Sequence, residues 1–434
     1  MNNPEIIYCV GLGKLGLLFS QILASSGFKV YGYDKNLKIK KDISSNVKNI
    51  EPKLNELINK NKKNFSFLEN TEKAIKESSA IILVLPTPSK KNYEFDNKYI
   101  FETLKKIGPF LEFKKKYIIN ITSTVNPGSC SLFIKFLEDN FGLIHGKEFI
   151  ITYNPHLIAL GSIYENVINS ELVIIGSDLI YGRNYLKKFY SKIYKKNLER
   201  LKFLNLKEAE ITKISINSFI TMKISFSNTL SQIADSQDDI DISKVINTLG
   251  NDSRIGKKYL GLGGSYSGPC FPRDSLNFST YLKKVKAKNY IPIAVEKINQ
   301  FQIHRYLKIF NKSLKLFNKK PTIGICGVVY KKNTTITDFS PGIQIIKKLI
   351  KKNKIIIYEE TKVNDSFIRK NKIHCCSNIH DFFNKSDIIF ICYKNNIFKK
   401  MQKFKPNRIK VVIDFWNYLN FKENKIIYKS LGIS

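Results

Sequence analysis

The sequence predicts an α/β protein in which two Rossmann-like, doubly wound domains are joined by a central all-helical domain. Three observations lead to this fold class. Short apolar runs recur between helical stretches over residues 5–200, which is typical of a parallel sheet covered on both faces. Residues 206–236 then show helical periodicity without Pro or Gly, and apolar runs return after residue 321.

The first domain is predicted to span residues 1–204 and to contain alternating strands and helices. Helices are expected, for example, over Leu15–Ser26 and Asn97–Ile107. The predicted strands are Ile6–Val10, Lys29–Tyr33, Ala80–Leu85, Tyr117–Ile121, Phe149–Tyr153 and Leu172–Ile175. This alternation is the pattern of an open, doubly wound sheet.

The middle domain is predicted over residues 205–318 and the last domain over residues 319–434. Helices are expected over Leu206–Ser236, Ile242–Leu249 and Pro292–Phe317, with a glycine-rich stretch over 261–268 before the last of them. In the last domain a helix is expected over Pro341–Lys352. The strands predicted around it are Thr322–Gly327, Lys354–Tyr358, Ile388–Cys392 and Val411–Asp414.

Composition restricts the class of protein. The chain has 434 residues, of which 43% are hydrophobic, so it can bury a large core. It contains no apolar run of about 18 residues, and the N-terminal residues lack a basic region before the first strand. We therefore expect a cytoplasmic protein that neither spans nor binds a membrane.

The cysteines favour a reducing compartment. There are seven, an odd number, and no two form a CxxC pair. This argues against a disulfide framework and against a zinc site, so we expect no metal. Most such cysteines are small buried apolar residues.

The net charge of +36 raises the question of nucleic-acid binding. The lysines are spread along the whole chain and form no single basic stripe or tail. We expect a solvated lysine-rich surface and no nucleic-acid partner. The charge can still attract an anionic ligand.

The first predicted strand runs directly into a glycine-rich turn with the pattern GxGxxG. Gly11 permits the tight turn, Gly13 allows close approach of a pyrophosphate, and Gly16 allows the following helix to pack on the strand. Asp34 ends the second strand, where a carboxylate binds the ribose hydroxyls and repels a 2′-phosphate. The sequence therefore predicts an NAD site, although the adjacent Lys35 weakens the preference over NADP slightly.

Other candidate residues lie in the predicted helical domain. Lys213 and Asn217 are four residues apart and share a helix face, where a cation and an amide donor can stabilise an oxyanion. From spacing alone, a solvated lysine and a capping or buried asparagine is the simpler interpretation. Cys270 follows the glycine-rich stretch and precedes Asp274 by four residues, so a thiolate there could attack an aldehyde.

Taken in order, several segments resemble the UDP-glucose/GDP-mannose dehydrogenase family over nearly the whole chain. The matching segments are Leu85-Pro86-Thr87-Pro88 with Asp96, Ser123-Thr124-Val125 with Pro127-Gly128, Asn154-Pro155 with Gly161, Lys213-Ile214-Ser215-Ile216-Asn217, Asp252-Ser253-Arg254-Ile255-Gly256, Gly268-Pro269-Cys270-Phe271-Pro272-Arg273-Asp274, Tyr330-Lys331-Lys332-Asn333-Thr334 and Ser340-Pro341. Their order and spacing make chance agreement improbable.

The resemblance implies oxidation of the C6 alcohol of a nucleotide sugar to a carboxylate with two NAD. It assigns catalysis to Thr124, Lys213, Asn217, Cys270 and Asp274, with Cys270 forming a thiohemiacetal and then a thioester. It places Thr87 and Thr124 at the cofactor. It assigns substrate contacts to Gly264, Tyr266, Gly268 and Lys331, and it implies a homodimer because Arg254 matches an arginine that serves the neighbouring subunit.

The chain departs from the family pattern at several positions, including Arg273, which replaces a lysine but keeps the charge. His156 and Leu160 stand where the family has two glutamates, the first of which assists thioester hydrolysis. His156 is either a replacement general base or a packing substitute that leaves the last step slow or lost. Asp338 and Trp416 replace arginines that contact the cofactor and the nucleotide, which weakens the case for UDP-glucose as substrate.

Three interpretations therefore stay open. The first is an active nucleotide-sugar 6-dehydrogenase with NAD as cofactor. The second is a two-electron dehydrogenase that stops at the aldehyde. The third is a catalytically weak homologue that binds a nucleotide sugar as a regulatory or assembly partner.

Overall fold

The structure is a computed structural model that describes residues 4–44, 51, 53–195, 197–361 and 363–432. The chain forms two compact units, residues 1–214 and residues 215–434. Within the described ranges, no helix has both the length and the apolar character that crossing a bilayer requires.

The first unit contains an eight-stranded sheet with the order β3-β2-β1-β4-β5-β6-β7-β8. All neighbouring strands are parallel except β6 and β7, which are antiparallel. The strands are β1 (Ile6–Val10), β2 (Lys29–Tyr33), β3 (Phe65–Phe67), β4 (Ala80–Leu83), β5 (Tyr117–Ile121), β6 (Phe149–Tyr153), β7 (Val173–Gly176) and β8 (Leu201–Leu204). Strands β1 and β4 flank the point where the strand order reverses, and this is where open α/β sheets bind ligands.

Eight helices accompany this sheet among the described residues. They are α1 (Lys14–Ser25), α2 (Lys38–Ser44), α3 (Leu54–Lys60), α4 (Thr71–Glu77), α5 (Lys98–Ile107), α6 (Ser129–Phe141), α7 (Ile163–Ile168) and α8 (Ile180–Tyr194). Strands β4, β5 and β6 are buried along their whole length. Burial on both faces explains why these strands are predominantly apolar instead of alternating.

A helical region follows, made of α9 (Leu206–Leu230), α10 (Ile242–Asn251), α11 (Phe271–Lys284) and α12 (Tyr290–Ser313). The sequence predicted that the first of these helices would continue to Ser236, but it ends at Leu230. The buried guanidinium of Arg305 on α12 explains this, because it donates to the carbonyl oxygen of Ser231 (2.9 Å) and pairs with Asp235 (2.7 Å). A carbonyl occupied by a side chain need not continue the helical hydrogen-bond pattern.

The second unit contains a six-stranded, all-parallel sheet with the order β11-β10-β9-β12-β13-β14. Its strands are β9 (Ile323–Cys326), β10 (Ile355–Tyr358), β11 (His374–Cys375), β12 (Ile388–Ile391), β13 (Lys410–Asp414) and β14 (Ile426–Ser430), and its helices are α13 (Pro341–Leu349), α14 (Ser366–Lys370) and α15 (Ile379–Lys385). In order, this sheet matches the first six strands of the other. The predicted fold class is confirmed.

Short edge elements were not predicted from the sequence. Strands β3, β8, β11 and β14 all lie at or near a sheet edge. Two of them have only two or three residues, and the burial of β14 is mixed along its length. Such strands lack the continuous apolar run that identifies a central parallel strand.

Candidate active site

The glycine-rich turn after β1 needs glycine at two of its three positions for steric reasons. Gly11 has φ +94°, and a Cβ there would lie 2.2 Å from the carbonyl oxygen of Val84. A Cβ on Gly16 would lie 1.9 Å from the carbonyl oxygen of Gly11. At Gly13, by contrast, a Cβ would meet nothing within 4 Å, so this backbone faces open space. Gly13 is the N-cap of α1 and no side chain caps it, which leaves the N–H groups of the first turn for a pyrophosphate.

Asp34 lies beside this turn. One carboxylate oxygen accepts a hydrogen bond from the N–H of Leu12 (2.8 Å) and the other from the N–H of Asn36 (2.8 Å). The neighbouring Lys35 ammonium lies 5.1 Å from the ring centre of Tyr99. The half-buried carboxylate keeps further lone pairs with which it can accept ribose hydroxyls.

The loops that follow β4 and β5 are joined by hydrogen bonds. The Thr87 hydroxyl donates to the carbonyl oxygen of Thr124 (2.7 Å). The Ser123 hydroxyl accepts from the N–H of Leu85 (2.8 Å) and donates to its carbonyl oxygen (2.7 Å). Thr87 and Thr124 therefore lie together at the carboxyl edge of the sheet, with Thr124 partly exposed.

Glu210 was not identified from the sequence. Its carboxylate is fully buried and accepts the N–H groups of Gly128 (2.5 Å) and Cys130 (2.8 Å), at the N-terminus of α6. Burial raises the pKa of the Glu210 carboxyl, and the two N–H donors oppose that rise. Glu210 thereby ties helix α9 to the loop that carries Thr124. The signal that could have revealed it is an acid one helical turn before Lys213.

In the first unit, the charge of Lys213 acts on His156. Lys213 is buried on α9, with 6% of its surface exposed. Burial, and next the charge of Lys213, lower the pKa of His156 to about 4. The imidazole lies edge-on to Phe19, with ring centres 4.4 Å apart, and its Nε2 has no hydrogen-bond partner within the described residues. His156 is therefore neutral at pH 7.

Asn217 and Asp274 form a buried pair in the second unit. The Asn217 side-chain amide donates to one oxygen of Asp274 (2.6 Å), and Arg273 Nε donates to the other (3.3 Å). Only 1% of Asp274 and 7% of Asn217 is exposed. A buried asparagine is one of the structural roles expected for Asn217. Its hydrogen-bond partner, however, is Asp274, the candidate catalytic carboxylate.

Cys270 is the N-cap residue of α11, and Asp274 lies in the first turn of the same helix. The N–H of Asp274 donates to the carbonyl oxygen of Cys270 (2.8 Å). The Cys270 side chain is exposed, whereas five of the other six cysteines are buried. A helix N-terminus stabilises negative charge, so this position favours a thiolate nucleophile.

The glycine-rich stretch before Cys270 packs against aromatic rings. Gly268 has φ +86°, and a Cβ there would lie 2.6 Å from the Tyr330 ring. A Cβ on Gly264 would approach Phe415 to 3.2 Å. Tyr266 is buried and held at three atoms: Asn299 bonds its N–H (2.7 Å) and carbonyl (3.2 Å), and its hydroxyl donates to Glu296 (2.8 Å). The backbone course of this stretch is thus fixed by neighbouring side chains.

Arg254 and Lys331 are the remaining predicted substrate contacts. The Arg254 side chain is 86% exposed and pairs with Asp252, with Nη2 and Oδ2 2.5 Å apart. Lys331 is half-buried, and its ammonium lies 5.6 Å from the Tyr330 ring centre. Arg254 therefore projects from the surface of its own chain.

Trp416 and Asp338 stand where the family has arginines, and both contact the glycine-rich stretch. Trp416 donates from Nε1 to the carbonyl oxygen of Cys392 (3.1 Å), and a Cβ on Gly263 would lie 2.3 Å from its ring. The backbone carbonyl of the exposed Asp338 accepts the N–H of Gly268 (2.9 Å). Both positions thus support the glycine-rich stretch from the second sheet.

The second sheet repeats the geometry of the dinucleotide turn. After β9, Gly327 has φ +95°, and a Cβ on Gly342 of α13 would lie 2.3 Å from the Gly327 carbonyl oxygen. Glu359, directly after β10, accepts the N–H of Val328 (2.8 Å), as Asp34 accepts that of Leu12. The sequence did not reveal this repeat, because the two glycines are separated by a long loop instead of four residues.

Comparison with known proteins shows to which family the chain belongs. Residues 5–196 match the NAD binding domain of the UDP-glucose/GDP-mannose dehydrogenase family, residues 207–301 its central domain, and residues 324–421 its UDP binding domain. The chain belongs to the UDP-glucose/GDP-mannose dehydrogenase family. The predicted resemblance, the NAD cofactor and the oxidoreductase class are thereby confirmed, and the UDP binding domain indicates a nucleotide-sugar substrate.

Individual relatives agree with this assignment. A UDP-glucose 6-dehydrogenase of Rickettsia conorii is 28% identical over 96% of this chain and 96% of its own length. The UDP-glucose 6-dehydrogenase TuaD of Bacillus subtilis is 30% identical over 79% of this chain and 73% of its own. The solved structure of a UDP-glucose dehydrogenase from Pyrobaculum islandicum superposes with a TM-score of 0.86 at 22% identity, covering 100% of this chain and 98% of that one, and so shares the fold.

Proposed function

We propose that this dehydrogenase oxidises the C6 alcohol of a nucleotide sugar to a carboxylate in two successive two-electron steps. The observation that carries the proposal is on helix α11. An exposed thiol at its N-cap precedes by one turn a buried carboxylate that accepts a 2.6 Å hydrogen bond from Asn217. A nucleophile and an acid–base group on one rigid turn are what aldehyde capture requires.

NAD is held by chain elements that fit it. Gly11, Gly13 and Gly16 would hold the pyrophosphate, Asp34 would accept the ribose hydroxyls, and Thr87 and Thr124 lie on the neighbouring loops. When bound, NAD supplies the hydride acceptor for each of the two oxidations.

The side chains manage protons and charge in the first oxidation. As the C6 hydride leaves, the hydroxyl proton passes to the Asp274 carboxylate, and the aldehyde C=O bond forms. Lys213 and Asn217, four residues apart on α9, stabilise the oxyanion character at that oxygen.

Cys270 then retains the aldehyde. Its sulfur bonds to the carbonyl carbon, the C=O π electrons move to oxygen, and protonation gives a thiohemiacetal. Loss of the second hydride and of the hydroxyl proton leaves a thioester. Water adds to that carbon, the C–S bond breaks, and the carboxylate product and the Cys270 thiol are released.

His156 is the proposed base for this hydrolysis. A pKa of about 4 gives the neutral imidazole roughly the basicity of an ordinary glutamate, whose pKa is about 4.3. The unpartnered Nε2 can therefore accept a proton from water in place of the family's glutamate. Its edge-on contact with Phe19 supports the competing role, a packing substitute.

The replacement of both family glutamates favours a second candidate function. With His156 and Leu160 at those positions, the chain could stop at the aldehyde as a two-electron dehydrogenase, or bind a nucleotide sugar without turnover. Trp416 leaves the identity of the sugar and of the base open between UDP- and GDP-sugars.

The product stoichiometry separates these functions. NADH formed per nucleotide sugar consumed should be measured over UDP-glucose, an N-acetylated UDP-hexosamine and GDP-mannose. Two NADH with a uronic acid product are expected. One NADH with free aldehyde supports the two-electron enzyme, and about one enzyme equivalent of product with acylated Cys270 shows that hydrolysis fails. Tight binding of a sugar with no NADH contradicts an enzymatic function.

The covalent step has its own test. Cys270→Ser is expected to abolish uronic acid formation, because the serine hydroxyl is a far weaker nucleophile than a thiolate. Cys375→Ser is the matched control, since Cys375 is the other exposed cysteine, and it should retain activity. Unchanged acid output from the Cys270 variant would show that the covalent mechanism is wrong.

We further propose a homodimer and a cytoplasmic location. Phe219, Phe226 and Ile233 are spaced by seven residues and are 59%, 52% and 43% exposed, and we propose that they form an apolar surface. A second copy would cover it, in agreement with the exposed Arg254. The reactive thiol needs a reducing compartment. The division into domains 1–204, 205–318 and 319–434 remains our proposal for how the chain is organised.

A further inference from the structure

Three residues with metal-binding side chains converge at the edge of the second sheet. His374 lies on the edge strand β11, and Cys376 directly follows this strand, with its N–H donating to the carbonyl oxygen of Ile357 (2.9 Å). Because side chains alternate along an extended chain, His374 and Cys376 are on the same face. Asp381 comes from the first turn of α15.

The ligand atoms of this group are close together. One imidazole nitrogen, the Cys376 sulfur and one Asp381 oxygen all lie within 4.8 Å of one another. Cys376 is buried, Asp381 is 34% exposed and His374 is exposed, so a cation can enter from solvent and keep a water ligand. Across the part of the chain that the structure describes, this is the one such group of three or more.

We propose that His374, Cys376 and Asp381 bind one Zn²⁺ ion, with water as the fourth ligand. Thiolate and imidazole ligands select zinc over the hard cations Mg²⁺ and Ca²⁺. Tetrahedral zinc with bonds of about 2.0–2.3 Å brings its ligand atoms to about 3.5 Å from one another. Because the three ligand atoms already lie within 4.8 Å of one another, they would have to approach by about 1 Å, and His374 is exposed.

Binding of the metal would displace one ion pair and one proton. The exposed pair between Lys385 Nζ and Asp381 Oδ2 (2.9 Å) contributes little and would be displaced. Burial, followed by the Asp381 charge, raises the pKa of Cys376 to about 11, so the thiol is protonated without metal. On binding, the S–H bond breaks, the sulfur–zinc bond forms, and the proton passes to solvent.

A metal at this site would stabilise the short edge strand β11. Strand β11 has only two residues and pairs on one side, with β10. A zinc ion would link it to α15. The sequence suggested no zinc site because it has no CxxC pair, whereas this ligand set combines His-x-Cys with an aspartate five residues later.

Cobalt is the spectroscopic probe. The full-length, reduced protein without a polyhistidine tag is titrated with Co²⁺, and the thiolate-to-cobalt charge-transfer absorbance is followed; Zn²⁺ is then added as competitor. We expect one Co²⁺ per chain, displaced by Zn²⁺. His374→Ala and Asp381→Asn should each weaken the affinity about tenfold or more, and Cys376→Ser should remove the thiolate band.

The controls address the other exposed thiols. Cys375→Ser and Cys270→Ser should both retain the band and the stoichiometry. The exposed His374 can be replaced without touching the core, so its variant remains informative if Cys376→Ser fails to fold. The proposal is overturned if the wild-type protein gives no thiolate–cobalt band, if the band survives Cys376→Ser, or if His374→Ala leaves the affinity unchanged.

Discussion

The Asp274 carboxylate is the almost fully buried proton acceptor that we propose for the candidate site. It is 1% exposed, and its two oxygens accept from Asn217 (2.6 Å) and Arg273 (3.3 Å). Hydrogen bonds to a buried carboxylate hold its position. A group so held is ready to take a proton without reorganising.

Asp274→Asn is therefore expected to lower kcat about 10²- to 10⁴-fold, because the amide cannot accept the hydroxyl proton. NADH production in steady state measures this. Arg273→Lys is the matched control: it keeps the cation and introduces the residue that the family pattern has, so activity should stay near the wild-type level. An active Asp274→Asn enzyme would remove this carboxylate from the proton transfer.

His156 makes stability depend on pH. Its pKa is lowered from 6.5 to about 4 in the folded protein, so below pH 6.5 the unfolded chain binds the proton that the folded one does not. The contribution of His156 to the free energy of unfolding is therefore fully present above pH 6.5. It falls by up to about 3 kcal/mol as the pH drops to about 4.

His156→Gln should remove this part of the pH dependence. Urea unfolding at pH 4.5 and at pH 8 gives the comparison, and the pH 8 value isolates the packing cost because both side chains are neutral there. An unchanged difference between the two pH values would show that His156 is not the buried neutral group described above.

At the scale of elements, the loop after β5 depends on a contact from a distant helix. Gly128 and Cys130 at the start of α6 donate to Glu210, which is on α9 and fully buried. The same loop carries Thr124, whose carbonyl accepts from Thr87 (2.7 Å). One carboxylate therefore fixes a helix start and, through it, a loop that we assign to the cofactor.

Glu210→Ala is expected to reduce the free energy of unfolding by about 1–3 kcal/mol, since it leaves two buried N–H groups without acceptors. We also expect weaker NAD binding. Chemical denaturation and NAD titration measure the two effects. Lys207→Ala, an exposed change on the same helix, should alter stability by less than about 0.5 kcal/mol. Equal effects of the two variants would contradict the capping role.

For the whole molecule, the proposed dimer predicts that a charged substitution in its interface prevents assembly. Phe226→Glu puts a charge into the apolar surface formed with Phe219 and Ile233, and burial of an unpaired charge is costly. Sedimentation analysis should show monomers for this variant and dimers for the wild type. Phe113→Glu, at a phenylalanine outside that surface that is 65% exposed, should leave the assembly unchanged. A Phe226→Glu protein that remains dimeric would place the interface elsewhere.

Much of the molecule follows from the sequence alone. The apolar runs gave β1, β2, β5 and β6 with their correct limits, because strands covered on both faces are predominantly apolar. The glycine turn and Asp34 were also predictable, since the steric demands at Gly11 and Gly16 leave one amino acid possible. These features depend on neighbours along the chain or on the strict geometry of one turn.

Only the tertiary structure decided the rest, because those features depend on groups far apart in sequence. The pairing of Asn217 with Asp274, the Glu210 contact with α6, and the end of α9 at Arg305 each join separate elements. The lowered pKa of His156 likewise comes from burial and from Lys213. A sequence records which residues can donate, accept or ionise, but the fold determines which of them meet and how much water remains between them.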